Sequence, residues 1–338
     1  MTLESRLDAW SQGWRGPLFA ALVALIAGLP GLFAMPPLDR DESRFAQATS
    51  QMLETGDYVV IKFQDQPRFK KPVGIHWLQA VAVKTFSDAE DRRIWAYRIP
   101  SLLGAMLAAA ACAWGAAALL DPRTGLIAGS ILGATFLLSS EAFIAKTDAA
   151  LCGTTTLAMG ALARIYAAQL KGESAGKLTK LAFWIGLSVA ALIKGPVGLL
   201  TVFLALAALA IWDRKARWMK DLGWTWGAIL FAAIVLLGAS YTLRNNGHVR
   251  VDLVYGNVSD KVRLWIDIVG LIIFLLPVTA YVTYLIWPFF LTSYETGEMS
   301  SNAGGLIRWP VKLIMLLGFG LLFVQGLSEL IKRIAALG

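Results

Sequence analysis

Residues 36–77, PPLDRDESRFAQATSQMLETGDYVVIKFQDQPRFKKPVGIHW, form the longest polar stretch in a chain that is otherwise mostly apolar. The stretch follows the first hydrophobic segment. Its charged groups include the adjacent acids Asp41 and Glu42, Arg44 one helical turn later, and a Lys-Lys-Pro segment near its end. This arrangement predicts a reactive loop that is held at a membrane surface.

The composition predicts a polytopic membrane protein. Of the 338 residues, 57% are hydrophobic and 16% are charged, and the mean hydropathy is +0.60. The apolar residues fall in runs of about 20, the length that crosses a bilayer as an α-helix. The predicted fold class is therefore an all-α polytopic membrane protein with about nine transmembrane helices. The predicted spans are residues 17–34, 98–119, 124–144, 149–168, 180–193, 195–212, 224–241, 264–287 and 311–331.

The basic residues predict the orientation in the membrane. The net charge is +8, but the cations lie in short loops between spans, which does not indicate a nucleic-acid partner. Lys and Arg cluster before the first span and in 170–180 and 213–220, so these segments are predicted to be cytoplasmic. The loop 35–97 then faces the periplasm of a bacterial-type inner (plasma) membrane. A basic segment at 242–252 conflicts with this order, because a single predicted span, 224–241, separates it from 213–220.

Two short helices are predicted within this loop. Residues 41–53 carry apolar side chains at helical spacing, and Gly56 would end the helix. A second, mostly apolar helix is expected at 73–85, in the membrane interface. The apolar face of the first helix is expected to lie against the membrane surface, and its residues are Phe45, Ala48, Met52 and Leu53.

Asp41 and Glu42 are the candidate catalytic residues. Adjacent helical residues point about 100° apart, so the two carboxylates cannot share one site as an acid–base pair. One of them can act as the general base for an acceptor that attacks a sugar carbon. Alternatively, both are solvated acids that are favourable near the positive end of the helix dipole.

Three cations of the loop are candidates for binding a phosphate group. Arg44 can make bidentate contacts, whereas Lys70 and Lys71 offer point charges. The alternative is that these side chains pair with anionic headgroups, which would make membrane lipid their partner.

Two charged residues interrupt later apolar segments. Asp148 begins a hydrophobic span, two residues after Lys146, where an unpaired carboxylate is costly. Lys194 precedes Gly195-Pro196, which is expected to divide a long apolar run into two spans. Both are candidates for a functional site. The alternatives are a helix N-terminal acid at the membrane surface and a snorkelling lysine.

The histidines and cysteines do not predict a metal site. His76 and His248 lack partners at ligand spacing, and Cys112 and Cys152 both lie in apolar spans. The residues themselves therefore imply neither a metal ligand set nor a cofactor.

Four ordered motifs in residues 1–220 resemble the family 39 glycosyltransferases of the GT-C group, which includes the aminoarabinose transferases of lipid A and the protein O-mannosyltransferases. The motifs are PPLDRDESRFAQATSQMLETGDYV, RFKKPVGIHWLQA, AKTDAAL and LIKGPVGLL. The resemblance implies a polyprenyl-phosphate sugar donor, with Asp41 as the catalytic acid and Arg44 and Lys71 as donor-phosphate contacts. Asp148 and Lys194 match further site positions of the family.

The chain departs from that family in two respects. Lys70 stands where many relatives have an acid, so a contact between that position and a divalent metal is left open. The family also continues through several further spans that have no counterpart in this sequence.

From about residue 238 onward, the sequence resembles the DctQ-type small membrane subunit of TRAP transporters. The matching pieces are the HVRVD segment, the stretch around Glu295 and Glu298, and the RWPVK opening of the last span. The resemblance implies a large permease subunit as partner and no catalytic residues. The predicted domains are a glycosyltransferase-like module at 1–220, a seam at 221–237, and a transporter-like module at 238–338.

These observations favour a membrane glycosyltransferase that moves a sugar from a polyprenyl-phosphate donor to a lipid, glycan or protein acceptor on the periplasmic side. One alternative is a small membrane subunit of a TRAP transporter. The other is a fusion or chimera of two genes, which the conflicting basic loops favour.

Overall fold

The computed structural model describes residues 8–37, 40–64, 66–68, 71–214, 216–227, 229–230, 233–234, 259–299 and 307–336. These residues are overwhelmingly helical, which confirms the predicted all-α class. Contacts along the chain divide it into two units, Met1–Trp226 and Gly227–Gly338, and each unit is described by itself.

The first unit contains a series of helices that are joined by short loops. Strands β1 (Lys62–Phe63) and β2 (Gln66–Pro67) form a small antiparallel hairpin within the polar loop. A 3-10 turn is present at Arg217–Asp221, near the end of the unit. The helices are α1 (Arg15–Ala34), α2 (Arg40–Thr55), α3 (Gly74–Phe86), α4 (Ile94–Leu119), α5 (Pro122–Ala134), α6 (Phe136–Ala142), α7 (Asp148–Leu170), α8 (Lys177–Lys194) and α9 (Pro196–Trp212).

Helices α4 and α7 form the centre of this unit and touch through glycines. Gly104 of α4 meets Gly153 of α7, and Gly115 meets Gly160 in the same order, so the two helices are parallel. A methyl group on Gly153 would overlap the Gly104 carbonyl. Small residues at these positions let the two backbones approach closely, as is common between helices in membranes.

Two breaks shape the helices on either side of α7. Helices α5 and α6 are bent by 60° at Thr135. Helix α8 ends at Lys194, where Gly195 adopts a left-handed φ of 64°, and Pro196 begins α9. The predicted break at Gly195-Pro196 is therefore confirmed, and it follows from glycine's freedom at positive φ and proline's preference for the first helical turn.

The helices confirm a polytopic membrane protein but not the predicted number of spans. Among the described residues, four helices are long and apolar enough to cross a membrane, namely α1, α4, Lys261–Glu295 and Trp309–Ala335. The bent pair α5–α6 would make a fifth. The count of about nine is thus not confirmed. Much of the predicted span 224–241 lies outside the described residues, as does the basic segment 242–252 with His248.

From residue 259 onward, the described residues of the second unit form a helical hairpin. Helix α10 (Asp260–Gly270) continues through a π-helical turn (Leu271–Leu275) into α11 (Leu276–Glu295), and α11 packs against α12 (Trp309–Ala335). The charged side chains at the α11–α12 turn form a cluster. In it, Glu298 accepts hydrogen bonds from Arg308 (2.7 Å) and from Lys312, whose ammonium lies 3.6 Å from the ring centre of Phe289.

The helix predicted at 41–53 is present as α2, but the prediction for its apolar face was wrong. Phe45 is buried in a cluster with Ile75, Ala150 and Ile193 rather than facing the membrane. Ala48 and Met52 are buried against Ile61, and Leu53 packs beside Val83 and Tyr97. The apolar face of α2 therefore docks onto α3, α4, α7, α8 and Ile61, and this packing removes its side chains from water.

Candidate active site

The first turn of α2 presents one acid to solvent and buries the next. The side chain of Asp41 is 54% exposed, and its Oδ1 lies 3.4 Å from Nη1 of Arg44, one turn further along the helix. The side chain of Glu42 is fully buried. The two adjacent acids thus face different surroundings, as the 100° rotation between neighbouring helical residues requires.

Glu42 is held by Arg98 near the start of α4. The Arg98 guanidinium donates two hydrogen bonds to the carboxylate, from Nε to Oε1 (2.7 Å) and from Nη2 to Oε2 (3.1 Å). Its remaining donors reach the carbonyls at the end of α1, which belong to Gly31, Leu32, Met35 and Pro36. The geometry favours a structural role for Glu42 over the catalytic role predicted for it.

The loop between α6 and α7 is fixed from the same helix. Glu42 Oε1 also accepts a hydrogen bond from the backbone N–H of Ala145 (2.9 Å). Ser101, one turn after Arg98, donates to the carbonyls of Ile144 (2.7 Å) and Lys146 (3.2 Å). Asp148 begins α7 two residues later, so its place depends on these bonds.

A row of alternating charges leads from this loop to the break after α8. Lys146 lies 3.0 Å from Glu141 and 3.6 Å from Asp148, and Asp148 in turn pairs with Lys194. All four side chains are partly exposed. The carboxylate of Asp148 therefore has cations on two sides, which offsets the cost of placing it at the start of an apolar helix.

The Lys-Pro segment of the polar loop lies beside Lys194. The ring of Pro72 is next to Gly195, and the backbone of Gly74 touches that of Leu192. Lys71, which is partly buried, therefore enters the same neighbourhood as Lys194. Lys70 lies outside the described residues.

One buried cluster gathers these pieces. Its four side chains pack together, and each lies close in sequence to one predicted site residue. They are Phe45, one turn after Asp41; Ile75, shortly after Lys71; Ala150, two residues after Asp148; and Ile193, directly before Lys194. The four segments that carry the predicted site residues thus converge from α2, α3, α7 and α8 onto one place. Their sequence positions span more than a hundred residues, so only folding brings them together.

Two cavities flank the start of α7. One, of about 370 Å³, lies between α3, α4, α7 and α8; its lining is almost wholly apolar and includes Ile193 and Ala150. The other, of about 380 Å³, lies at the α5–α6 bend, with Glu141 and Asp148 among its lining residues. The row of charged side chains therefore lies between the apolar cavity and a second cavity whose lining includes both apolar and charged residues.

The side chain of His76 is buried, and its contacts are with other residues of the core. It stacks on Phe45 with the ring centres 5.3 Å apart, and its Nδ1 lies 2.8 Å from Oγ1 of Thr49, which donates to Gln79. Burial, together with the charge of Arg68, lowers the pKa of His76 to about 4. Among the residues that the structure describes, no group of three His, Cys, Asp or Glu side chains is placed to hold a metal ion.

Arg98, Ser101 and Glu141 were not predicted from the sequence as residues of the site. A signal for Arg98 existed, because an arginine at the start of an apolar span is costly unless it is paired. Glu141, near the end of another apolar segment, carries a similar signal. Ser101 carries none, since serine in a helix usually bonds the preceding turn of its own helix.

The fold and these residues define a polytopic helical membrane protein with a charged site beside its first polar loop. The family model described as dolichyl-phosphate-mannose-protein mannosyltransferase matches residues 38–251, which is more than half of the chain. The chain therefore belongs to that family. A second model, the DctQ component of tripartite ATP-independent periplasmic transporters, matches residues 223–336.

Curated relatives are named undecaprenyl phosphate-alpha-4-amino-4-deoxy-L-arabinose arabinosyl transferases. That of Pseudomonas aeruginosa is 29% identical over 218 residues, covering 61% of this chain and 38% of the relative. The second such enzyme of Pseudomonas fluorescens is 29% identical over 256 residues, covering 71% and 39%. The chain thus spans less than two fifths of the length of these relatives.

A solved structure has a similar fold. The crystal structure of ArnT from Cupriavidus metallidurans bound to undecaprenyl phosphate matches with a TM-score of 0.57 and 18% identity, covering 94% of this chain and 62% of that one. At this identity the likeness shows the fold alone.

Proposed function

We propose that residues 1–220 form a membrane glycosyltransferase module that transfers a sugar from a polyprenyl-phosphate donor to a lipid, glycan or protein acceptor. The observation that carries this proposal is the convergence of Asp41, Lys71, Asp148 and Lys194 around one buried cluster. An exposed carboxylate with an arginine one turn away, on a segment that converges with two lysine-bearing segments, suits the transfer of a sugar away from a phosphate. The reaction would take place on the periplasmic side of an inner membrane.

Asp41 would act as the general base. Its carboxylate takes the proton of the acceptor hydroxyl while the acceptor oxygen forms a bond to the anomeric carbon of the sugar. The bond between that carbon and the phosphate oxygen breaks, and polyprenyl phosphate leaves. Of the two adjacent acids, Asp41 suits this task because it is the exposed one.

Arg44, Lys71 and Lys194 would hold the donor phosphate. Their charges neutralise the negative charge that grows on the leaving phosphate, and arginine can contact two of its oxygens. Asp148 would orient Lys194 through their ion pair rather than touch the phosphate. The apolar cavity between α3, α4, α7 and α8 borders the same cluster and offers room for the first units of the polyprenyl chain.

The test is a transfer assay with the full chain in proteoliposomes and undecaprenyl-phosphate aminoarabinose, the donor in the relatives' names, as the probe. Asp41→Asn is expected to lower transfer by about 10²–10⁴-fold, because it removes the base and keeps the shape. The matched control is Asp88→Asn, an exposed acid of the same loop, which should leave transfer unchanged. If the Asp41→Asn variant transfers sugar at the full rate, Asp41 is not the general base. If the unmodified chain transfers neither this sugar nor mannose from a mannosyl donor, the proposed function is wrong for this chain.

We also propose that residues 238–338 form a second module that docks onto a large TRAP permease subunit, with a seam at 221–237. The match of residues 223–336 to the DctQ model favours it. Mass spectrometry of native membranes for the tryptic peptide 221–244, which crosses the seam, separates a natural fusion from a chimera. Detection of this peptide would establish one continuous protein. Peptides from both modules on separate gel bands would show two proteins instead.

A further inference from the structure

We infer that Arg98 and Ser101 are positioning residues, which hold the Asp41 helix and the Asp148 segment in fixed register. Glu42 is the link between these two segments and not a second catalytic acid. The catalytic part of this inference rests on the proposed glycosyltransferase function. The structural part, a mechanical link between α2 and the α6–α7 loop, does not.

The link is built from groups that water cannot reach. The side chains of Arg98 and Glu42 are both 0% exposed, and their two hydrogen bonds form a planar fork between guanidinium and carboxylate. Such a fork fixes direction as well as distance. Because the other Arg98 donors hold the carbonyls at the end of α1, the guanidinium cannot turn without breaking bonds to two segments, α1 and α2.

The same α4 surface also holds the loop that precedes Asp148. Arg98 and Ser101 lie three residues apart and so share a helix face. Through Glu42, Arg98 fixes the N–H of Ala145, and Ser101 fixes the carbonyls on either side of that residue. Three backbone groups of the loop are therefore held by Glu42 and by the single hydroxyl proton of Ser101, which the carbonyls of Ile144 and Lys146 share, and Asp148 follows with little freedom.

These bonds leave Glu42 unsuited to accept a proton from a substrate. Both of its oxygens already accept hydrogen bonds from a guanidinium that stays charged, and Oε1 accepts a further one from Ala145. Protonation of the Glu42 carboxylate would break its paired hydrogen bonds with Arg98 and leave the buried charge of Arg98 without a counter-ion. Asp41, one residue earlier, is placed by the same helix turn, so a shift of about 1 Å in that turn can lower the rate about 10²-fold.

Hydrogen exchange of the full chain in detergent micelles tests the link without any substrate. In Glu42→Gln and Arg98→Lys, exchange is expected to rise about tenfold or more in both 41–49 and 143–148. The matched control is the exposed pair Glu54–Arg92, 3.0 Å apart, which also joins α2 to the residues just before α4. Glu54→Gln and Arg92→Lys should change neither segment. A rise confined to the segment around the substituted residue would overturn the inference.

Ser101→Ala is the milder variant, and it decides the question if the charged variants do not fold. Loss of its hydrogen bonds should raise exchange in 143–148 about fivefold. Ser130→Ala, which removes a serine bond to Leu126 within α5, is its control and should leave that segment unchanged. Equal exchange in Ser101→Ala and the unmodified chain would rule out the serine's part in the link.

The transfer assay then separates positioning from donor binding. Arg98→Lys and Ser101→Ala should lower kcat while the KM for the donor and the binding of undecaprenyl phosphate stay within about twofold. A raised KM with unchanged kcat would make these residues donor-binding and overturn the inference. If the unmodified chain transfers no sugar, the proposed function fails, and the exchange experiment still decides whether the link exists.

Discussion

The two units of this chain differ in how far their main charged clusters are buried and in how many segments these clusters connect. In the first unit, Arg98 and Glu42 are fully buried and tie α1, α2, α4 and the α6–α7 loop together. In the second, the cluster of Glu298, Arg308 and Lys312 closes a turn at the end of a hairpin, where Glu298 and Arg308 are partly exposed. A fully buried ion pair thus joins four segments of the first unit, whereas the Glu298 cluster joins only the two ends of one turn in the second.

Helix α4 of the first unit and the helix Lys261–Glu295 of the second also differ in how much of their apolar surface is buried. In the first unit, 44% of the most apolar part of α4 is buried within the protein, and glycines let α7 come close. In the helix Lys261–Glu295 only 17% is buried. Helix α4 therefore packs more of its apolar surface within its own unit than does α1, of which 28% is buried. The helix Lys261–Glu295 leaves most of its apolar surface outside the contacts of the described residues.

The largest expected effect that separates the units comes from their arginines. Arg98→Met should destabilise the first unit by about 3–5 kcal/mol, because it leaves the Glu42 carboxylate buried without its partner. Arg308→Met should lower the unfolding midpoint of the second unit far less, since that pair is partly solvated. Thermal unfolding in detergent, with hydrogen exchange to follow each unit, measures both. Similar losses of stability in Arg98→Met and Arg308→Met would contradict the difference proposed between the two charged clusters.

Acid should weaken the first unit before the second. His76 has its ordinary pKa near 6.5 when unfolded and about 4 when folded, so the unfolded chain binds a proton first as the pH falls. Its effect is absent above pH 6.5, and the lost stability grows to about 3 kcal/mol as the pH falls to about 4. His76→Gln should remove this slope, which unfolding midpoints at several pH values would show. An unchanged slope in that variant would assign the acid sensitivity to other groups.

In the second unit the corresponding acid is Glu298. Hydrogen bonds from Lys312 and Arg308 lower the pKa of its carboxyl to about 2, from an ordinary value of 4.5. Its contribution to stability is therefore complete above pH 4.5 and is lost only as the pH falls towards 2. The protection factor for hydrogen exchange at the α11–α12 turn, which corrects for the intrinsic pH dependence of exchange, should stay constant between pH 6.5 and 4.5, while the first unit weakens.

The smallest expected effect concerns glycines. Gly153→Ala should destabilise the first unit by about 1–3 kcal/mol, because the new methyl group meets the Gly104 carbonyl across the α4–α7 contact. Gly320→Ala in α12 meets no atom within 4 Å in the described structure and should be neutral or stabilising by up to about 1 kcal/mol. The difference in unfolding midpoint between the two variants is the measurement. Equal midpoints would mean that α4 and α7 can separate without cost.

The sequence by itself determined the fold class, the break at Gly195-Pro196 and the helix that begins near Asp41. These follow from local chemistry, namely the length of apolar runs, the backbone limits of glycine and proline, and the spacing of side chains along a helix. It also singled out Asp148 and Lys194, because charges in apolar segments are costly wherever the segment packs. Their roles in transfer remain predictions.

Only the tertiary structure decided which of two adjacent acids is buried and what the apolar face of α2 touches. Asp41 and Glu42 have the same local signals, and their difference comes from Arg98, 56 residues away. Phe45 likewise meets Ile193 rather than lipid. Burial and pairing depend on contacts between distant segments, and helical periodicity gives the direction of a side chain but not its partner.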